Sequence, residues 1–90
     1  MTCDMLKPCR LSAALISNPR GKKTLDLDKA ARKLEKKGYT IRIKTERILI
    51  VRNENGLETS IYPSGKLLFK TRDEKIAREE CRRIRAIIGP

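Results

Sequence analysis

Between Tyr39 and Lys70 the chain places Arg42, Lys44, Arg52, Lys66 and Lys70 at positions that extended backbone would turn to one side of a sheet. Ile48, Ile50, Tyr62 and Leu68 alternate onto the same side, Ser60 joins them, and Glu58 is the acid expected there. Cations around an apolar centre perform no covalent chemistry. They neutralise phosphates while the apolar groups touch something flat, and nucleic acid offers both. The competing reading of the same face is a contact with another protein chain or a second copy of this one, or cover by the N-terminal segment.

The residue types that would support a reaction are missing or badly spaced. Histidine is absent, so Ser-His and Cys-His nucleophiles are unavailable. The three cysteines, Cys3, Cys9 and Cys81, do not have zinc-site spacing, and their odd number argues against a disulfide scaffold. Cys81 falls on an apolar helical face and reads as a small core residue. The stretch "NPRGKKT" has Gly and Lys without the glycine spacing of a phosphate-binding loop. The expectation is a protein that is not an enzyme, with no metal, no cofactor and no small-molecule substrate.

Charge points the same way as the face. Lys and Arg number 22 against 11 Asp and Glu, a net charge of +11 in 90 residues. Salt-bridge networks account for a high charge content but not for a two-to-one excess of one sign; a phosphate-rich partner does. No apolar run approaches the ~20 residues of a membrane span, and Met1 to Arg10 has no signal-like apolar stretch, so a cytoplasmic protein without a membrane partner is expected.

The elements that must hold this face follow from periodicity. Residues 1–8 read as a flexible lead, and residues 9–90 as a single domain. "CRLSAALIS", Cys9 to Ser17, suits a buried strand, and Asn18 to Thr24 a basic loop. Leu27, Ala30, Ala31 and Leu34 recur at helical spacing, with Thr24 or Asp26 to cap and Gly38 to stop. "YTIRIK" alternates, with Tyr39, Ile41 and Ile43 on one side and Thr40, Arg42 and Lys44 on the other. "RILIVR", "LETSIY" and "KLLFK" follow, separated by Thr45–Glu46, by the Asn-Gly turn at Asn53–Gly56 and by "PSG". A second helix runs from Asp73 to Ile88 with a capping box at Thr71 and Glu74 and an apolar stripe of Ala77, Cys81, Ile84 and Ile88.

The order is β-α-β-β-β-β-α. Two helices with one apolar stripe each need a sheet to cover, which gives an α+β sandwich with a five-stranded antiparallel sheet. Leu49, Val51, Leu57, Ile61, Leu67 and Phe69 are assigned to the helices, and the cation-bearing face is left open.

This order resembles one repeat of the TATA-box-binding protein family over about residues 9–89. The resemblance rests on Leu25-Asp26-Leu27 opening the first helix, and on Arg47-Ile48 where the family has an Arg-Phe pair. It rests further on Ile61-Tyr62-Pro63-Ser64-Gly65-Lys66 for an Ile-Phe-x-Ser-Gly-Lys hairpin, and on the acidic helix start at Asp73. It implies a curved half-saddle whose open face meets the DNA minor groove, with Ile48 and Tyr62 at the wedge positions and Leu68 and Lys70 touching the groove. Both wedges differ from the family's phenylalanines, and Lys70 stands where the family has Thr. These changes favour phosphate contact over base reading. The family's base-reading asparagine of strand one has no match near Leu11 or Ser12. One repeat alone implies a homodimer joined along strand one to rebuild the saddle, or an accessory module like the N-terminal domain of one class of ribonuclease H. DNA ranks ahead of RNA as the partner.

Overall fold

The computed structural model describes residues 7–8, 15–17 and 24–88. Six strands and two helices follow in the order β1 (Lys7–Pro8), β2 (Leu15–Ser17), α1 (Leu27–Lys36), β3 (Thr40–Lys44), β4 (Leu49–Arg52), β5 (Glu58–Ile61), β6 (Leu67–Phe69) and α2 (Glu74–Ile88). The expected first strand is described over Leu15–Ser17. Its remainder, the loop after it and Cys3, Cys9, Leu11 and Ser12 lie outside the described residues.

Helix α1 forms where capping and periodicity agree. The Asp26 carboxylate accepts from the backbone N–H groups of Asp28 at 2.9 Å and Lys29 at 3.2 Å. These are two of the donors that a helix start leaves without partners. At the other end Gly38, at φ 93°, lets Tyr39 N–H reach Leu34 O at 3.1 Å and Gly38 N–H reach Glu35 O at 3.1 Å. This paired closure needs a left-handed residue, and it drops Tyr39 into the core beside Leu34. Helix α2 starts differently from expectation. Asp73, not Thr71, caps it, accepting from Lys75 N–H at 3.0 Å and Ile76 N–H at 3.3 Å. The Thr71 hydroxyl instead accepts from Asp73 N–H at 3.1 Å and fixes the approach.

The strands pair antiparallel in the order β1-β2-β6-β5-β4-β3. Five of them make the expected open sheet, and the two-residue β1 adds to the outer edge of β2. Chain connectivity runs from β2 through α1 to the far edge at β3, then returns by three hairpins until β6 pairs with β2. The architecture is α+β.

One core joins both helices to one face of this sheet. Leu27, Ala30, Ala31 and Leu34 of α1 and Ala77, Cys81, Ile84 and Ile88 of α2 pack with Leu15, Leu49, Val51, Ile61, Leu67 and Phe69. Burial of the large aliphatic and aromatic members contributes roughly 1.5–3 kcal/mol each. Leu57, expected in this core, is only half-buried at the mouth of its turn. Cys81 is buried as expected, but it is also half of a disulfide, which corrects the reading against one; the other half lies outside the described residues.

Candidate nucleic-acid interface

The face turned away from the helices is organised in three rows that cross the strands. The middle row follows the register Ile43–Ile50–Ser60–Leu68–Ile16, one residue from each of β3, β4, β5, β6 and β2. Five strands at their usual separation make this row about 19 Å long. Ser60 is sheltered between Ile50 and Leu68, and the four larger side chains make an aliphatic stripe with Ser60 at its middle.

A polar row lies on one side of that stripe. Arg52 stands opposite Glu58, Thr40 stands opposite Arg52, and Lys70 lies beside Glu58 through the Lys70 N–H to Glu58 O bond of 3.1 Å. Three cations converge on the one carboxylate. Arg52 Nη2 is 3.2 Å and Arg42 Nε 3.5 Å from Glu58 Oε1, and Lys70 Nζ is 3.2 Å from Oε2. The Lys70 and Arg52 hydrogen bonds hold the Glu58 carboxyl below the usual carboxylate range. It therefore stays ionised and keeps part of the local positive charge occupied.

The third row is Ile48, Tyr62 and Lys66, one step past the paired residues Leu49, Ile61 and Leu67. Lys66 Nζ sits 5.4 Å from the centre of the Tyr62 ring. Their turn is tied to the helical layer from two sides. Pro63 O accepts from Leu25 N–H at 2.6 Å, and Gly65 O accepts from Arg85 Nη2 at 3.2 Å. Gly65, at φ 93°, closes the turn onto Tyr62 O. Tyr62 and Lys66 therefore project from an anchored hairpin. Ile48 follows the β3–β4 turn built by Thr45, whose hydroxyl accepts from the backbone N–H groups of Arg47 and Ile48 at 3.1 Å each.

Arg42, Ile48, Ile50, Arg52, Tyr62, Lys66, Leu68 and Lys70 thus share the open face, as their alternation predicts. Lys44 does not. Pairing slips between Ile41 opposite Val51 and Ile43 opposite Ile50, so Arg42 is an extra residue in β3. Such a bulge reverses the facing of every later residue in the strand. Ile43, placed by alternation with the core residues, comes out on the open face at 49 % exposure. Lys44 goes to the helical side, where its Nζ lies 2.7 Å from Asp28 Oδ1. That hydrogen bond and charge hold the Asp28 carboxyl below its usual range.

Ile43 and Ile16 were missed by sequence reasoning. No residue type marks the bulge that turns Ile43. The facing of Ile16 depends on which strand β2 joins. Among the described residues, no three His, Cys, Asp or Glu side chains are grouped to hold a metal ion, and no helix is long and apolar enough to cross a membrane. No family model, curated protein or solved structure matches this chain.

Proposed function

We propose that this chain is a non-catalytic nucleic-acid-binding module that uses the open sheet face, with DNA as its ligand. The observation that carries the reading is the row structure: an aliphatic stripe about 19 Å long, turned away from both described helices, with Arg42, Arg52 and Lys70 along one side and Lys66 beside Tyr62 on the other. Aliphatic groups meet sugars and base edges, and the flanking Lys and Arg meet phosphates. Tyr62 is the one aromatic on the face, so stacking on successive bases contributes little. The element order and the anchored Tyr62–Lys66 hairpin support the resemblance to a TATA-box-binding repeat, and the altered wedges support a grip led by phosphates.

The exposure of Ile43 favours a second reading, a docking face for another protein chain. Titration of labelled duplex DNA, single-stranded DNA and duplex RNA across a salt series separates the two. Nucleic-acid binding falls with a log–log slope of about −0.9 per neutralised phosphate on duplex DNA. Lys66→Ala is expected to flatten the slope, and Tyr62→Ala to weaken binding at constant slope. No binding to any of the three at ~50 mM salt removes the proposal.

A further inference from the structure

Among the described residues, a group of cations without ion-pair partners lies on the other side of the molecule. Helix α1 buries Leu27, Ala30, Ala31 and Leu34. At about 100° per residue, Lys29, Arg32, Lys33 and Lys36 fall within an arc of about 100° directly opposite that buried stripe. All four are exposed. The acids of the helix are set apart from them: Asp28 and Glu35 lie together on one flank, and Asp28 is taken by Lys44. Among the described residues, the side chains of Lys29, Lys33 and Lys36 make no ion pair or hydrogen bond. This contrasts with the sheet face, where Arg42, Arg52 and Lys70 share Glu58.

Such a row works against the helix that carries it. Lys29 with Lys33, and Arg32 with Lys36, are like-charge neighbours at i, i+4, a spacing that destabilises a helix. Stability alone would place Glu at one of each pair. The charges also have no apolar companions on their side. An interfacial membrane helix inserts an apolar face, and the apolar face of α1 is already in the core. A protein partner would want a buried apolar or aromatic anchor, and this arc has none. What remains is a linear polyanion. Ten residues of helix span about 15 Å, a length over which a duplex presents about nine phosphate charges.

We propose that the outer face of α1 is a second, independent site for the phosphate backbone of duplex nucleic acid, so that one chain bridges two duplex segments. The core and the sheet lie between the two surfaces, so the same duplex segment does not lie flat on both.

The test uses the full chain and a variant with Lys29→Gln, Lys33→Gln and Lys36→Gln together. Far-UV circular dichroism checks its fold, and the corresponding triple Lys→Arg variant controls for charge. Duplex affinity is read by anisotropy across a salt series, and bridging by capture of a labelled duplex on a bead-tethered one. The Gln variant is expected to lose about two to three from the log–log slope, and to lose bridging. The Arg variant keeps both. A sheet-face variant, Tyr62→Ala with Lys66→Ala, separates the sites. If it binds as the parent does while the Gln variant does not, the α1 site stands and the sheet-face reading falls. An unchanged slope and unchanged bridging in the folded Gln variant overturn the α1 site. So does binding of the parent chain to phosphatidylserine vesicles without binding to duplex.

Discussion

Arg52 Nη2 lies 3.2 Å from Glu58 Oε1 across the β4–β5 pairing, with the two residues directly opposite each other. Arg42 and Lys70 complete the shell around that carboxylate. A cation already facing an internal anion gains less from a phosphate than an unoccupied one, because it must give up the first partner. Glu58 is therefore a built-in competitor at one end of the open face. Replacing Glu58 by Gln keeps the shape and removes the charge. Duplex binding at low salt should become tighter, and the log–log salt slope steeper by about one to two, as freed cations engage phosphates. Anisotropy titrations of the two proteins at three salt concentrations read this directly. An unchanged slope would show that these cations do not reach the ligand.

The same carboxylate, with Asp28, makes stability depend on acid pH. Lys70 and Arg52 lower the pKa of Glu58, and Lys44 that of Asp28. A folded pKa below the unfolded value, which is about 4.3 for Glu and 3.9 for Asp, gives stability that is present above those values and lost as pH falls through the folded ones. The urea midpoint should fall between about pH 5 and pH 2. Glu58→Gln and Asp28→Asn should each make that fall shallower. Asp28 is exposed and Glu58 only half-buried among exposed cations, so their effect at neutral pH is expected to be small.

Tyr39 and Glu80 carry more weight. The Tyr39 hydroxyl donates to Glu80 Oε2 at 2.8 Å, and both residues are buried, at 4 % and 5 % exposure. Tyr39→Phe removes the donor and leaves a buried carboxylate short of a partner, at a cost of about 1–3 kcal/mol. Burial first, and the bond to Glu80 second, push the pKa of the Tyr39 hydroxyl above its ordinary range. A raised folded pKa gives stability that is complete below the unfolded value near 10 and lost as pH rises beyond it. Chemical unfolding between about pH 9 and pH 11 should show the parent losing stability more steeply than Tyr39→Phe.

Much of this arrangement is legible in the chain. Helical spacing locates the buried stripes of both helices. Alternation locates Leu49, Val51, Ile61, Leu67 and Phe69 in the core, and Tyr62, Lys66, Leu68 and Lys70 opposite them. Two kinds of information were not there. One is backbone irregularity: the extra residue at Arg42 exchanges the faces of Ile43 and Lys44, and nothing in "TIRIK" distinguishes a bulged strand from a regular one. The other is long-range partnership. The convergence of Arg42, Arg52 and Lys70 on Glu58, and the meeting of Tyr39 with Glu80, depend on registers that only the folded sheet and the packed helix supply. The Asp73 cap is compatible with the sequence, since Asp suits a helix start as well as Thr, and the capping-box pattern at Thr71 competes with it.

The middle row decides between a nucleic-acid face and a dimer face. Ile50 sits within it, opposite Ile43 on one side and Ser60 on the other. If sugars and base edges meet this row, Ile50→Ser should weaken duplex binding several-fold at constant salt slope, since no cation changes. If a second copy covers the row, the same change should instead dissolve an oligomer. The sheet edges bear on a different self-association, pairing edge to edge, and argue against it. At Leu15 and Ile16 the outer edge of β2 already pairs with β1, so joining two copies along β2 would require β1 to be displaced. The opposite edge, β3, carries a bulge and the charged side chains of Arg42 and Lys44, devices that discourage edge-to-edge pairing. If the row meets nucleic acid, sedimentation at tens of micromolar should give the 10.3 kDa mass of one chain, for the parent and for Ile50→Ser alike. A dimer mass that falls to one chain on Ile50→Ser would transfer the face from nucleic acid to self-association.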